Sequence, residues 1–290
     1  MSNLKATLAQ RAQNGGLQER TSIRSLLAQE NVKKRFEELL GKKAAGFMSS
    51  VLNIVNSSTD LQQCNPQQVL AAAAVAAALD LPIDPNLGFA YIVPYRDRRN
   101  NQVHAQFQLG YKGYIQLAMR TGMYKTINAT HVYEGEIEHY NRITGEVRFS
   151  EDGPTSDKIV GYIAYFKLAN GFEKFEYWPV ERVKQHAERF SQSYRSGRNS
   201  PWQTDFDAMA TKTVLKSLLS KYGVLSIEMQ TAVVADQAVI HETAEGHQYE
   251  YVDNDGTVVD AVTVDEYATE TAGADPVPDA ADLFSQTREE

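Results

Sequence analysis

The apolar period of this chain changes twice, and that succession limits its folds more than any other feature. Through TSIRSLLAQENVKKRFEELLG, residues Ile23, Leu26, Leu27, Val32, Phe36, Leu39 and Leu40 recur at helical spacing, and the pattern stops at Gly41. A second helix is expected in AAGFMSSVLNIV. A third follows in CNPQQVLAAAAVAAALDLP, where Asn65 is placed to cap, Pro66 suits the first helical position and Gln68 can reach back from the third. The alanine run gives that helix a flat face for close packing.

From FAYIVPYR onward the period is two. In VHAQFQLG, residues Val103, Ala105, Phe107 and Leu109 point one way, while His104, Gln106 and Gln108 point to a face expected to be wet. Pro94 predicts an edge or a bulge in the first strand. The segment INATHVYEG, the hairpin IEHYNRITGEVRF and the hairpin IVGYIAYFKLANGFEKFEYWP, with Asn170-Gly171 as a tight primed turn, extend an antiparallel sheet. After Trp178 the helical period returns in PVERVKQHAERF. Beyond the polar loop SQSYRSGRNS it resumes in SPWQTDFDAMATKTVLKSLLSKYG, whose Ser200, Pro201 and Gln203 form a capping box and whose Gly223 is a stop. The expected fold class is α+β, an antiparallel sheet packed with helices.

Charge divides the chain differently. Residues 1–230 carry 28 Lys+Arg against 22 Asp+Glu, and residues 231–290 carry 1 against 15, so a mildly basic body bears an acidic end. The end is poor in large apolar residues and is expected to be a disordered tail. Three regions result: a helical lobe at 1–60 with subunit contacts, an α+β core at 61–230, and the acidic tail at 231–290. Within the tail, Leu283 and Phe284 in ADPVPDAADLFSQ have the texture of a short partner-docking motif. No apolar run approaches the ~20 residues of a membrane span and the N-terminus is too polar for a signal peptide, which predicts a cytoplasmic protein without a membrane partner. Cys64 is the single cysteine, so an intrachain disulfide or multi-cysteine metal site is excluded.

Several enzyme classes lack their residues. GKKAAG begins like a phosphate-binding loop, yet Phe47 and Met48 stand where Lys and Ser/Thr should follow. No Glu-x-Lys, H-E-x-x-H or His-x-x-x-His occurs. A binding protein is favoured over a hydrolase, with no catalytic residue and no metal site assigned. Two rivals stand beside it: a metal-dependent nuclease using Asp205 and Asp207, and a purely structural oligomer.

The binding chemistry concentrates in two places. In LGYKG, Lys112 lies between two glycines where strand gives way to helix, and a helix start offers unpaired N–H groups to a phosphate. Tyr111 and Tyr114 add aromatic faces suited to unstacked bases, or to the core. In the last helix, Lys212 and Lys216 share a narrow stripe between two apolar sides. They need an anion or a water-filled groove, or else they snorkel to solvent. Arg96, Arg98 and Arg99 in the first hairpin loop, with Arg195 and Arg198 before the last helix, extend the basic set.

QLGYKGYIQLAMRTG, SPWQTDFDAMATKTVLKSLLSKYG and the order helices, hairpin, sheet, helix resemble the RecT family of phage and prophage single-strand annealing proteins, over about residues 20–225. The resemblance implies a fold core shared distantly with Redβ and an ATP-independent recombinase of homologous recombination. Such a protein binds single-stranded DNA, anneals complementary strands into duplex and forms a ring or helical filament. It implies a partner exonuclease; the acidic tail, outside the resemblance, is expected to dock exonuclease or host single-strand-binding protein, and no cofactor is required, with Mg2+ allowed alongside DNA. By position it makes Lys112, Lys212 and Lys216 phosphate contacts, with Trp202 and Phe206 shaping the groove. Arg96, Arg98, Arg195 and Arg198 rest on charge and location alone.

Overall fold

The structure is a computed structural model that describes residues 22–97, 100–195, 197, 201–243, 246–251 and 257–260. It is α+β, with antiparallel sheets packed against helices. Five helices lead: α1 (Ile23–Ala28), α2 (Glu30–Leu40), α3 (Ala44–Ser57), α4 (Thr59–Gln63) and α5 (Pro66–Ala78). Asn65 caps α5 as its sequence predicts, its Oδ1 accepting from the Gln67 N–H at 2.9 Å. Every residue from Ala71 to Ala77 is buried, so α5 is wrapped on all sides rather than presenting one flat face. Gln68 does not close a capping box. Its side chain instead crosses to the neighbouring sheet, lying 3.1 Å from His104 Nδ1 and accepting from the Ala105 N–H at 3.2 Å. Cys64 is buried, and burial followed by the charge of Asp60 pushes its thiol up to about 12, which makes it inert.

Next come β1 (Ala90–Asp97) and β2 (Gln102–Leu109), paired antiparallel from Ala90↔Leu109 to Asp97↔Gln102. β1 ends its sheet, which is where Pro94, lacking an N–H, is tolerated. The face of β2 expected to be wet is covered: Gln106 is buried and His104 and Gln108 are half-buried. Helix α6 (Tyr111–Arg120) follows, then β3 (Tyr124–Tyr133), the small hairpin β4 (Ile137–Tyr140) and β5 (Val147–Phe149), and the hairpin β6 (Ile159–Leu168) and β7 (Glu173–Pro179). Strands β3, β6 and β7 form a separate three-stranded sheet in that order. The Asn170-Gly171 turn is not of the primed type, because only Gly171 has positive φ, at 93°. Gly171 N–H donates to Leu168 O, making a three-residue loop that ends in a left-handed glycine.

The chain continues through α7 (Val180–Phe190), the short turns α8 (Gln192–Arg195) and α9 (Pro201–Thr204), and the long α10 (Phe206–Tyr222). The expected single helix after Ser200 is therefore broken at Asp205. That residue takes φ −150° and caps α10 through its carboxylate on the Ala208 N–H; Ser200 of the expected capping box lies outside the described residues. α10 buries both sides as its sequence projects: Ala210 and Val214 on one, Leu215 and Leu219 on the other.

The fold then passes residue 231 without a break. α11 (Ile227–Ala235) buries Met229, Ala232 and Ala235, and β8 (Val239–Thr243), β9 (Gly246–Tyr251) and β10 (Thr257–Asp260) complete a five-stranded sheet, β1-β2-β8-β9-β10. The acidic tail therefore begins later than charge alone suggests. Apolar residues at helical spacing (Met229, Ala232, Ala235), then Ala238 and the strand residues Val239 and Ile240, are buried and hold residues 227–240 in the body. One contiguous core runs from Ile23 to Tyr249. Phe36, Phe107, Phe166, Tyr114 and Tyr162 are fully buried within it, each contributing about 1.5–3 kcal/mol relative to exposure.

Candidate nucleic-acid interface

Lys112 sits in the first turn of α6, immediately after the end of β2. Its flanking glycines do not serve a left-handed turn. Gly110 is extended, at φ −80° and ψ 161°. What both positions require is closeness: a Cβ on Gly110 would lie 2.1 Å from Gly88 O, and one on Gly113 would lie 2.3 Å from Phe89 O. The strand–helix junction thus lies directly on the 88–89 backbone, joined by the Gly110 N–H to Phe89 O at 2.8 Å. Gly88 does take a left-handed φ of 77°, and the Lys112 stem runs over it, with Cδ 3.4 Å from the position a Gly88 Cβ would occupy. Lys112 is exposed and makes no ion pair among the described residues. Because Gly110 is the cap residue, no side chain caps α6.

The junction is pinned from below by a residue outside every sequence motif. Asp236, fully buried, accepts from Leu109 N–H (2.9 Å), Tyr114 Oη (3.0 Å), Lys212 Nζ (2.9 Å) and Lys216 Nζ (2.8 Å). Burial pushes its carboxyl up, but the two ammonium groups and their hydrogen bonds outweigh that and hold it well below the usual carboxylate range. Burial draws Lys212 down, with Asp236 opposing. The anion that the Lys212/Lys216 stripe requires is thus supplied by the chain itself, and Lys212, with 8% of its side chain exposed, faces no external phosphate. Lys216 is 30% exposed. Tyr114 is buried and its hydroxyl is raised far above its ordinary value by burial and then by Asp236, so it offers no face to a base. Tyr111 is half-buried against the core.

A second carboxylate hub lies further along α10. Glu176 on β7 is buried and accepts from Trp178 Nε1 at 2.7 Å, with Ser217 Oγ at 3.3 Å, Lys221 Nζ at 3.4 Å and Arg182 at 3.7 Å. Trp202 is buried, 5.6 Å from Phe206, whose ring meets Tyr162 edge-on. The carboxylates of the nuclease rival are both engaged in structure: Asp205 caps α10, and Asp207 accepts from the Tyr162 hydroxyl.

The arginines are scattered. Arg96 pairs with Asp60 at 3.2 Å and lies opposite Val103, six positions from Leu109 on β2 and so about 20 Å along the strand from the junction. Arg195 is exposed, its guanidinium 3.5 Å from Arg189 O. Arg98, Arg198, Leu283 and Phe284 lie outside the described residues. Lys212, Lys216 and Tyr114 are thus gathered on one carboxylate that also accepts from the Leu109 N–H at the end of β2, while Arg96 is not brought to them.

The fold and this junction define an α+β protein in which two separate lysine-bearing motifs meet on one buried aspartate. The RecT family model matches residues 45–251, and the chain belongs to that family. It is 45% identical over 257 residues to "Uncharacterized protein YqaK" of Bacillus subtilis (strain 168), covering 87% of each chain. It is 29% identical over 180 residues to "Protein RecT" of Escherichia coli (strain K12), covering 61% of this chain and 65% of that one. The matched span ends at Tyr251, the last residue of β9, and so takes in Asp236, which a resemblance ending near residue 225 leaves out. Membership supports a role in DNA recombination and annealing. Among the described residues no helix is long and apolar enough to cross a membrane.

Proposed function

We propose that this chain binds single-stranded DNA and pairs it with a complementary strand without ATP. The observation that carries the reading is Lys112: an exposed cation, without an ion pair among the described residues, at the uncapped start of a helix whose position is set by backbone contact and a buried aspartate. A phosphate there meets a positive charge and first-turn N–H groups together. Sequence-neutral phosphate contacts suit annealing, since specificity then comes from base pairing. Lys216 and Arg195 extend the basic path, Trp202 and Phe206 support its wall, and Arg98 and Arg198 join the DNA contacts on charge alone. Lys212 acts from inside, through Asp236. Protomers assemble as a ring or helical filament so that the path is continuous. Partners are an exonuclease that exposes single strands and, through Leu283 and Phe284, host single-strand-binding protein. No cofactor is required, Mg2+ is allowed with the DNA, and the protein works in the cytoplasm of a bacterial host. A truncation that tests the docking segment should remove 261–290 and leave β8–β10 in place.

Lys112→Ala should weaken binding of a labelled single strand and reduce the slope of log affinity against log salt by about 0.7, the loss of one phosphate contact, with an unchanged melting temperature. Equal affinity and equal slope in the variant, read by fluorescence anisotropy over a salt series, would remove Lys112 from the interface.

A further inference from the structure

Between α10 and the corner where β7 runs into α7 lies a cavity of about 290 Å³. Its walls include three neighbouring rings: Trp178 is 5.4 Å from His186, and His186 is 4.7 Å from Phe190. Trp202 closes another side, and Lys216 and Ser217 project from α10. Of the hydroxyls on this wall, Thr213 donates to Met209 O, Ser217 to Glu176 and Ser220 to Ser217 O. Their remaining lone pairs make that wall an acceptor surface, able to receive the N–H groups of a base.

The charge around the cavity does not cancel. Among its lining residues, Asp236 is met by Lys212 and Lys216, one carboxylate against two cations, while Glu176, Arg182 and Lys221 form a cluster outside the lining. Arg182 lies 4.0 Å from the Trp178 ring and brings one of these charges to the aromatic wall. Burial, and then the charges of Lys216, Arg182 and Arg189, pull the His186 imidazole below its ordinary value. A partly apolar hollow with stacking surfaces, acceptor oxygens and surplus positive charge is complementary to an aromatic anion.

We propose that this cavity is a single-nucleotide site, the base stacking among Trp178, His186 and Phe190 and the phosphate lying against Lys216. The nucleotide is either a unit of a bound strand turned out of its stack or a free mononucleotide. The first source rests on the DNA-binding reading, and the second does not.

The chain's only two tryptophans, Trp178 and Trp202, both line this cavity, so intrinsic fluorescence reports on it directly. Titration of the full chain with dAMP should give saturable quenching that ribose 5-phosphate does not reproduce. Phe190→Ala, at a solvent-accessible position that lines the cavity, should raise the half-saturating dAMP concentration roughly tenfold, the scale of one lost base stack, without lowering the melting temperature. A labelled single strand followed in the same cuvette by anisotropy separates the sources. If bound strand quenches the tryptophans and abolishes the further quench that dAMP gives to the strand-free protein, the cavity takes a strand unit; if only dAMP quenches, it takes the free nucleotide. Absence of saturable quenching by either, or equal quenching by ribose 5-phosphate, overturns the proposal. Absence of strand anisotropy alone sinks the DNA-binding reading and leaves the dAMP result standing.

Discussion

Asp236→Ala should destabilise the fold by about 3–5 kcal/mol, the scale for removing one partner of a buried ion pair. The substitution leaves Lys212 charged and enclosed and deprives Leu109 N–H and the Tyr114 hydroxyl of their acceptor, so the cost is largely that of unpaired buried groups. Urea unfolding followed by circular dichroism measures it. The same carboxylate sets an acid limit. Its folded-state pKa is depressed below the unfolded value, so its stabilisation is fully present above the ordinary carboxylate range and is lost as pH falls through that range toward the folded value. Stability of the Asp236→Ala variant should therefore fall less steeply with acid than that of the intact protein, and parallel acid profiles would contradict the assignment.

Gly110→Ala should destabilise by about 1–3 kcal/mol or more, the range for overpacking a site that cannot yield. The new methyl would meet Gly88 O at 2.1 Å and Gly88 C at 2.9 Å, both backbone atoms, so the junction has to lift off the 88–89 segment. Lys112 moves with it, and single-strand affinity should fall beyond what the folded fraction explains. Gly46→Ala is the control: it lies within α3 with nothing within 4 Å of its added carbon, and alanine there should stabilise by about 0.5–1 kcal/mol. Thermal unfolding of the two variants side by side gives opposite signs if close backbone approach is the reason for Gly110.

Much of the sheet was legible because its information is local. Alternation through VHAQFQLG defines the β1–β2 hairpin, and Pro94 marks its edge for want of an N–H. Other features depend on what lies across space. Gln68 has the right spacing for a capping box, but His104 and the Ala105 N–H are better partners and only the fold brings them near. The Lys212/Lys216 stripe was readable as a demand for an anion. Its answer, Asp236, was not, because a charge count over 231–290 treats a buried aspartate like the solvated ones around it. The signal that separates it is the run of small apolar residues on both sides, from Met229 to Ile240. Asp205 and Asp207 likewise read as candidate metal ligands until the fold shows one capping a helix and the other holding the Tyr162 hydroxyl.

The most direct test of the central claim is the rate at which the intact protein pairs two complementary labelled oligonucleotides without ATP, set beside Lys112→Ala at equal folded concentration. Rapid pairing by the intact chain and its loss in the variant are expected, with both melting at the same temperature. No acceleration by the intact protein, or full acceleration by the variant, would contradict it.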